Sequence, residues 1–550
     1  MKQHLSASII LFLKALCAGF IAHFAMPPSS FIGLIGLMGL IWLNITIAKL
    51  YAKNLKHALQ KACLVGFAFG FAFFISGLHW ISEAPGIYNP DFAFLGGLAV
   101  VALSAFMALY FSLACGFTIY LSSISKHFTS NSADFKLQWM RIGVLSLCML
   151  LSEWGRSTIA TGFPWHLWGH ALAPYESLSQ IASISGIYGA SALILTLCAL
   201  TSASFLILDF KHISSVLSLK KGLLFLTPLS LALTIIAGIM VWGQHRLDTT
   251  NLTSLDINIQ ILQPNIAQPI KWHPKHIVNN FRIHLELQKN APAKTAFIIW
   301  PETAAAFDLG RSQTAIAAIA QHLPEHSFAL VGTLSSDEHF NRYNSMLVID
   351  HHANIQAKYD KFHLVPFGEY TPLEHILPIL TGGGYQQGTG LKHFSFQAKN
   401  DHQSAYPSFS TLICYEIIFP GQVALSGKKR PDFLVNITND AWFAKGSGPQ
   451  QHLEMARWRA IEEGLMIARA TNTGISAFID PLGRIIKTLS WNERGVLNTP
   501  FIEPLEPTFY SCYGHLPLML TALLILAIII FNQILIRQSQ QKQDHKSTKS

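Results

Sequence analysis

The chain has 550 residues, of which 51% are hydrophobic and only 13% charged, with a net charge of +9. Soluble globular proteins carry about 25% charged residues, so this composition excludes an ordinary soluble protein, and the length implies at least two structural units. The basic residues lie in short loops between apolar runs rather than in one patch, which argues against a nucleic-acid surface.

A helix that crosses a bilayer needs about 20 predominantly apolar residues. Apolar runs at 8–26, 31–48, 62–82, 93–122, 142–154, 179–208, 222–243 and 515–536 predict eight spans. Lys14 falls inside the first; it snorkels, faces other helices, or marks a later start to that span. The same run begins with a lysine, as a cleavable signal peptide does, but the runs that follow favour a retained helix. Lys49, Lys53, Lys56 and Lys61 follow the second run, and Lys126, Lys136 and Arg141 the fourth. Lys211, Lys220 and Lys221 follow the sixth, and Arg537, Lys542, Lys546 and Lys549 the last. The loop after the third run has Glu83 and Asp91 and no base. Eight spans with both chain ends inside place every basic cluster in the cytoplasm. The chain then divides into a helical membrane domain at 1–244 with seven spans, a polar domain at 245–508 outside the cytoplasm, and a final span and tail at 509–550.

The polar domain reads as α/β. Leu255, Ile257, Ile259 and Ile261 alternate as in a half-buried strand, and 276–289 has helical periodicity. Ala296–Trp300 is a short apolar strand that stops at Pro301. A helix is expected at about 313–322, strands at 327–334, 344–350, Thr411–Cys414 and Phe433–Ile437, and a long helix at 450–470. Alternating strands and helices favour a sheet layered with helices. The polar tail from Gln538 reads as a segment without fixed structure.

Seven cysteines are present, five of them in apolar runs, and no CxxC pair exists, so a zinc ribbon or redox motif is not expected. His322-Leu323-Pro324-Glu325-His326 matches a metal-binding pattern that requires a helix, which Pro324 interrupts. No metal or other cofactor is expected. Cys414 is the one cysteine within the polar domain's expected strands. The strand Leu412-Ile413 runs into Cys414-Tyr415-Glu416 and a turn, a geometry that exposes a thiol at a strand end, where a following helix N-terminus stabilises thiolate. Glu302 projects from the end of another strand after Trp300-Pro301, and Lys361 and Glu369 flank His363-Leu364-Val365-Pro366-Phe367-Gly368. Each reads singly as a loop, surface or core residue. Together they fit one chemistry: a thiol nucleophile, a carboxylate to take its proton, and a lysine to meet the charge of a tetrahedral intermediate.

Glutamate, lysine and cysteine in this order, each near a strand end, resemble the nitrilase superfamily. With Asn439-Asp440-Ala441-Trp442-Phe443 and, in the apolar half, Thr161-Gly162-Phe163-Pro164-Trp165, the motifs resemble those of the apolipoprotein N-acyltransferases over nearly the whole chain. The resemblance implies a multi-pass α-helical membrane domain and a nitrilase-like αββα sandwich. It implies transfer of an acyl chain from a phospholipid donor to the N-terminal amine of a diacylglyceryl-cysteine apolipoprotein, in the bacterial inner membrane, with the catalytic domain on the periplasmic side. It assigns Glu302 as general base, Lys361 as oxyanion partner, Cys414 as the thioester-forming nucleophile and Glu369 as an assisting carboxylate. Tyr415, Glu416 and Trp272 match further positions important to activity, although Trp272 reads equally as an interfacial aromatic anchor. The glycine-dense loop 381–390 is either a lid over the acyl entrance or an ordinary connection. Two other readings share parts of the pattern: a membrane-tethered nitrilase-type amidase, and a lipid-binding or transport protein with a dead enzyme fold.

Overall fold

The computed structural model of the protein describes residues 2–28, 31–52, 54–87, 91, 93–123, 135–207, 219–292, 294–371, 384–397, 406–443 and 446–547. These form two compact units: one of 1–79, 97–246 and 513–550, the other of 80–96 and 247–512.

The first unit is helical. Among the described residues, six helical segments are long and apolar enough to cross a membrane: Ala7–Ala25, Phe31–Leu50, Leu55–Gly77, Ala93–Ser123, Ala182–Leu206 and Phe225–Thr249. Each coincides with an apolar run seen in the sequence, the third starting seven residues earlier than expected because Asn54 caps it through the His57 N–H. The run at 142–154 lies in the helix Phe135–Thr158, which carries buried Arg141, Glu153 and Arg156 and is not among the six. The last run forms a shorter apolar stretch, Leu516–Phe531. Its helix continues through the polar tail to Ser547. That corrects the expectation of an unstructured tail: Gln- and Lys-rich sequence without glycine or proline extends a helix once an apolar stretch has nucleated it. Leu113, Leu233, Val241 and Leu524 are each 60% exposed or more, an apolar surface that suits hydrocarbon and not water.

Polar groups inside this unit fix one loop. Arg156 donates to the carbonyls of Phe163, Trp165 and His166 at 2.8, 2.6 and 2.8 Å, and Glu153 accepts the Trp168 N–H at 2.6 Å. The Thr161–Trp165 motif is therefore held by a buried ion pair, an expensive arrangement in apolar surroundings.

The second unit is the α/β domain. One sheet has the order β13-β1-β2-β4-β5-β6 with β3 alongside β4; these strands are β1 Ser254–Gln263, β2 Thr295–Ile299, β3 Ala305–Asp308, β4 Phe328–Ser336, β5 Arg342–Asp350, β6 Ile355–Asp360 and β13 Gly495–Ile502. The other has the order β12-β11-β10-β9-β8-β7, with β7 His393–Phe394, β8 Phe409–Ile413, β9 Phe433–Thr438, β10 Met466–Thr471, β11 Ser476–Ile479 and β12 Ile485–Leu489. Side chains of alternate parity serve two layers. Phe297, Ile299, Leu330, Met346 and Val348 join Phe409, Phe433, Val435 and Met466 in one core between the sheets. Ile298, Trp300, Ala329, Val331 and Leu347 face the other way, onto Phe281 of the helix Ile277–Gln288 and Ile316 and Ile319 of the helix Gln313–Ala320. Burial on both faces explains the unbroken apolar run of β2. A further helix, Gly448–Glu463, covers the second sheet and completes an αββα sandwich.

The expected long helix at 450–470 is corrected. It stops at Glu463, where Gly464 takes a left-handed conformation (φ 65°) and donates to the Ala460 carbonyl, and β10 begins two residues later. Only glycine occupies that position without strain.

Candidate active site

β1, β2 and β4 run parallel to one another, as do β8, β9 and β10. In such sheets ligands bind beyond the carboxyl ends of strands, and the candidate residues sit there. The Trp300 N–H still pairs with the Leu330 carbonyl at 2.9 Å, after which Pro301 ends the ladder and Thr303 (φ 47°) turns the chain. Trp300 anchors this turn: its indole N–H donates to Gln288 Oε1 at 2.9 Å and its ring stacks on His284. The Pro301–Thr303 backbone lies over Gly332 of β4, where a side chain would collide with it. Glu302 is consequently buried rather than solvated. Lys361 follows β6 directly, its N–H bonded to the Asn344 carbonyl at 2.9 Å, and is 1% exposed. Cys414 follows β8 and opens a five-residue 3-10 turn, Cys414–Ile418, at a φ of 53°.

Glu302, Lys361 and Glu369 form one cluster. Lys361 Nζ lies 2.9 Å from both Glu369 carboxylate oxygens and 3.6 Å from Glu302 Oε1. Asn344 Nδ2 bridges the two acids, 2.7 Å from Glu302 Oε1 and 3.0 Å from Glu369 Oε1. The amide must face them with its nitrogen, since its oxygen would be repelled by both. Glu369 also accepts the Val365 N–H at 2.8 Å, which closes the loop between lysine and glutamate. Burial alone would lower the proton affinity of Lys361, but Glu369 and Glu302 hold it well above that of an ordinary lysine. It stays charged across any physiological pH. The opposite holds for Cys414: burial, and then the Glu302 charge, push its thiol well up, against the pull of Lys361. The expectation of an exposed thiol stabilised as thiolate by a helix terminus is corrected. Cys414 is only 9% exposed, and the turn that follows is too short to carry a helix dipole.

Both carboxylate oxygens of Glu416 are taken up by hydrogen bonds. Its Oε1 accepts the N–H groups of Phe362 and His363 at 2.7 and 3.0 Å, and its Oε2 those of Ile413 N–H and the Tyr359 hydroxyl at 2.7 and 2.9 Å. It thereby ties the segment after Lys361 to the strand before Cys414. Burial pushes its carboxyl up to about 7 even against these donors. The buried Tyr415 ring packs edge-on to Phe419 and His363. Trp272 is half-buried at the end of the short helix Gln268–Lys271. Of the loop 381–390, residues 381–383 lie outside the described set; the Gly388 N–H bonds the Lys361 carbonyl at 2.8 Å.

With this geometry in hand, comparison with known proteins gives the family. The carbon-nitrogen hydrolase family profile matches residues 260–500, and the apolipoprotein N-acyltransferase N-terminal domain matches 18–200. An apolipoprotein N-acyltransferase of Rhodopseudomonas palustris is 33% identical over 88% of this chain and 88% of its own. That of Rickettsia prowazekii is 33% identical over 85% and 89%. The chain belongs to the apolipoprotein N-acyltransferase family. A solved amidase from Nesterenkonia sp. is also similar, at 18% identity and a TM-score of 0.36 over 49% of this chain and 97% of that one, too distant to bear on function.

Three groups around this acyltransferase-family site were not singled out by the sequence. Asn344 lay inside an expected strand, where nothing marks an asparagine as a bridge. Lys271 is 3% exposed and donates to the Glu302 carbonyl at 2.9 Å. The third is a buried chain behind Cys414. Arg469 Nη2 is 2.7 Å from Asp440 Oδ2, His452 Nδ1 is 2.8 Å from Asp440 Oδ1, and His452 Nε2 is 3.2 Å from the Cys414 carbonyl oxygen. Burial alone would raise Asp440, but Arg469 and His452 keep its carboxyl below the usual range. Asp440 was legible only through its motif; His452 and Arg469 fell in the over-long predicted helix. Arg469→Met strands the Asp440 charge in the core and is expected to cost about 3–5 kcal/mol, measured as a drop in thermal unfolding temperature of the purified protein.

Proposed function

We propose that the chain transfers an acyl group from a phospholipid to the N-terminal amine of a diacylglyceryl-cysteine apolipoprotein through a thioester on Cys414. The observation that carries this is the buried Glu302–Lys361–Glu369 cluster at the strand ends beside Cys414, in a chain of this family. Because the thiol holds its proton tightly, deprotonation and attack are coupled. Glu302 takes the Sγ proton as sulfur attacks the ester carbonyl, and Lys361 meets the charge on the tetrahedral oxygen. Collapse breaks the ester C–O bond, and Glu302 returns the proton to the lysophospholipid alkoxide. The apolipoprotein amine then attacks the thioester, loses a proton to Glu302, and forms the amide as the proton passes back to the departing thiolate. Glu369 and Asn344 hold Glu302 and Lys361 in register, and Glu416 and Tyr415 fix the turns that carry Lys361 and Cys414. Trp272, beside the buried Lys271, is suited to contact a lipid chain.

Both substrates are lipids, which calls for a site at a bilayer surface, and the apolar helices supply the anchor. The four basic clusters support cytoplasmic loops and a periplasmic catalytic domain in a bacterial inner membrane. A reporter fused after Lys221 should read cytoplasmic and one fused within 250–290 periplasmic; the same side for both would remove the span between them. A small-amide hydrolase would share the nucleophile but has no use for a match to the N-terminal domain over 18–200. Purified protein given phospholipid and a diacylglyceryl lipopeptide is expected to yield the N-acylated lipopeptide and lysophospholipid in equal amounts. Amide hydrolysis with no lipopeptide product would overturn the assignment.

A further inference from the structure

Lys271 is a buried ammonium with one hydrogen bond. Its Nζ donates to the main-chain carbonyl of Glu302 at 2.9 Å, and among the described residues it makes no ion pair and no second hydrogen bond. An isolated buried cation is costly unless neighbouring charge compensates it. The compensation is visible in the cluster beside it. With both carboxylates ionised, Glu302, Glu369 and Lys361 together carry one excess negative charge. Transfer of the Cys414 proton to Glu302 keeps that excess but moves it onto the tetrahedral oxygen, still within a buried site. Lys271 brings the resting cluster to neutrality. Its own backbone is fixed: Asn280 Nδ2 donates to the carbonyls of Ile270 and Lys271 at 3.1 and 3.4 Å, so the ammonium is aimed rather than free.

We propose that Lys271 is a second cation of the acyl-transfer site, a positioning residue that holds the Glu302 turn and offsets the charge that develops when Cys414 is acylated. This rests on the acyl-transfer reading above and adds a residue to it. The charged and titratable groups acting around Lys271 are Glu302 and Cys414, which favour its protonated form, and His284 of the helix Ile277–Gln288. His284 is neutral, its proton affinity pushed down to about 3 by burial. Burial lowers Lys271 to about 8 despite Glu302 and Cys414. The cation is therefore present at neutral pH and lost in mildly alkaline solution.

The test is the rate of acyl-adduct formation on Cys414 in the full-length protein with phospholipid alone, followed across pH and normalised to folded protein. Wild type should slow above about pH 8 as Lys271 loses its proton. Lys271→Met keeps the apolar stem and is expected to be about tenfold or more slower at neutral pH. Lys271→Arg keeps the charge, remains protonated in alkali, and should be active without the fall near pH 8. This arm stays decisive if Lys271→Met does not fold. Wild-type rates and pH dependence in Lys271→Met, or a wild-type alkaline fall in Lys271→Arg, would overturn the proposal. A wild-type protein that never forms the adduct would instead overturn the acyl-transfer reading itself.

Discussion

Cys414→Ala is expected to reduce acyl transfer to background while the protein stays folded and in the membrane. The position explains both halves of that expectation. Cys414 is buried at the edge of the core between the sheets, so losing one sulfur removes little packing. Its backbone, however, is over-determined: a left-handed φ of 53°, β8 before it, and the His452 contact to its carbonyl behind it. Strain of this kind persists where the surrounding structure enforces it, and it clusters at reactive residues. Cys414→Ser is the sharper variant, because it keeps the geometry. A serine hydroxyl is far harder to deprotonate than a thiol, and this site already pushes the thiol up. Turnover should be severely impaired. Turnover per folded molecule is the measurement, and wild-type turnover in a well-folded Cys414→Ala protein would refute the mechanism.

The second large effect is expected at Glu302 and Lys361. Glu302→Gln retains shape and can still accept the Asn344 amide, but it cannot take a proton. It should block formation of the acyl-enzyme, not merely its breakdown. Lys361→Met removes the charge that faces the first tetrahedral intermediate, so it too should act on the first step. Removing one such group typically costs about 10²–10³ in rate. The two variants differ in stability. Glu302→Gln leaves the Lys361–Glu369 pair intact, whereas Lys361→Met strands two buried carboxylates and should destabilise by about 3–5 kcal/mol. Adduct formation normalised to folded protein separates the two effects. A structural glutamate would lower the unfolding temperature and leave adduct formation per folded molecule intact.

Much of this architecture was legible in the residues because periodicity reports burial. The unbroken apolar run of β2 and the stop at Pro301 place Glu302 at a strand end. Among the described residues, the six helical segments long and apolar enough to cross a membrane coincide with six of the eight apolar runs, since length and apolarity are all that a bilayer demands. What was not legible depended on tertiary contacts. The helix over 450–470 was read past Gly464 because buried helix and buried strand look alike in a short apolar stretch; only the left-handed glycine separates them. The thiol was expected to be exposed because a strand-end position says nothing of what packs over it. Lys271 and Asn344 carry no local signal: a lysine before Trp272 and an asparagine in a strand become interesting only when the fold brings Glu302 to them. Glu416 was singled out through family resemblance, and its four hydrogen bonds assign it a clamping task that no spacing argument would have given.

The central claim is that Cys414 carries the acyl chain between two lipid substrates. Intact-protein mass spectrometry after incubation with phospholipid alone, followed by peptide mapping, tests it most directly. The expected result is a single acyl adduct on the peptide bearing Cys414, stable until a diacylglyceryl lipopeptide is added and then transferred to its N-terminal amine. No adduct, an adduct on another residue, or an adduct that water removes but the lipopeptide amine does not would contradict it.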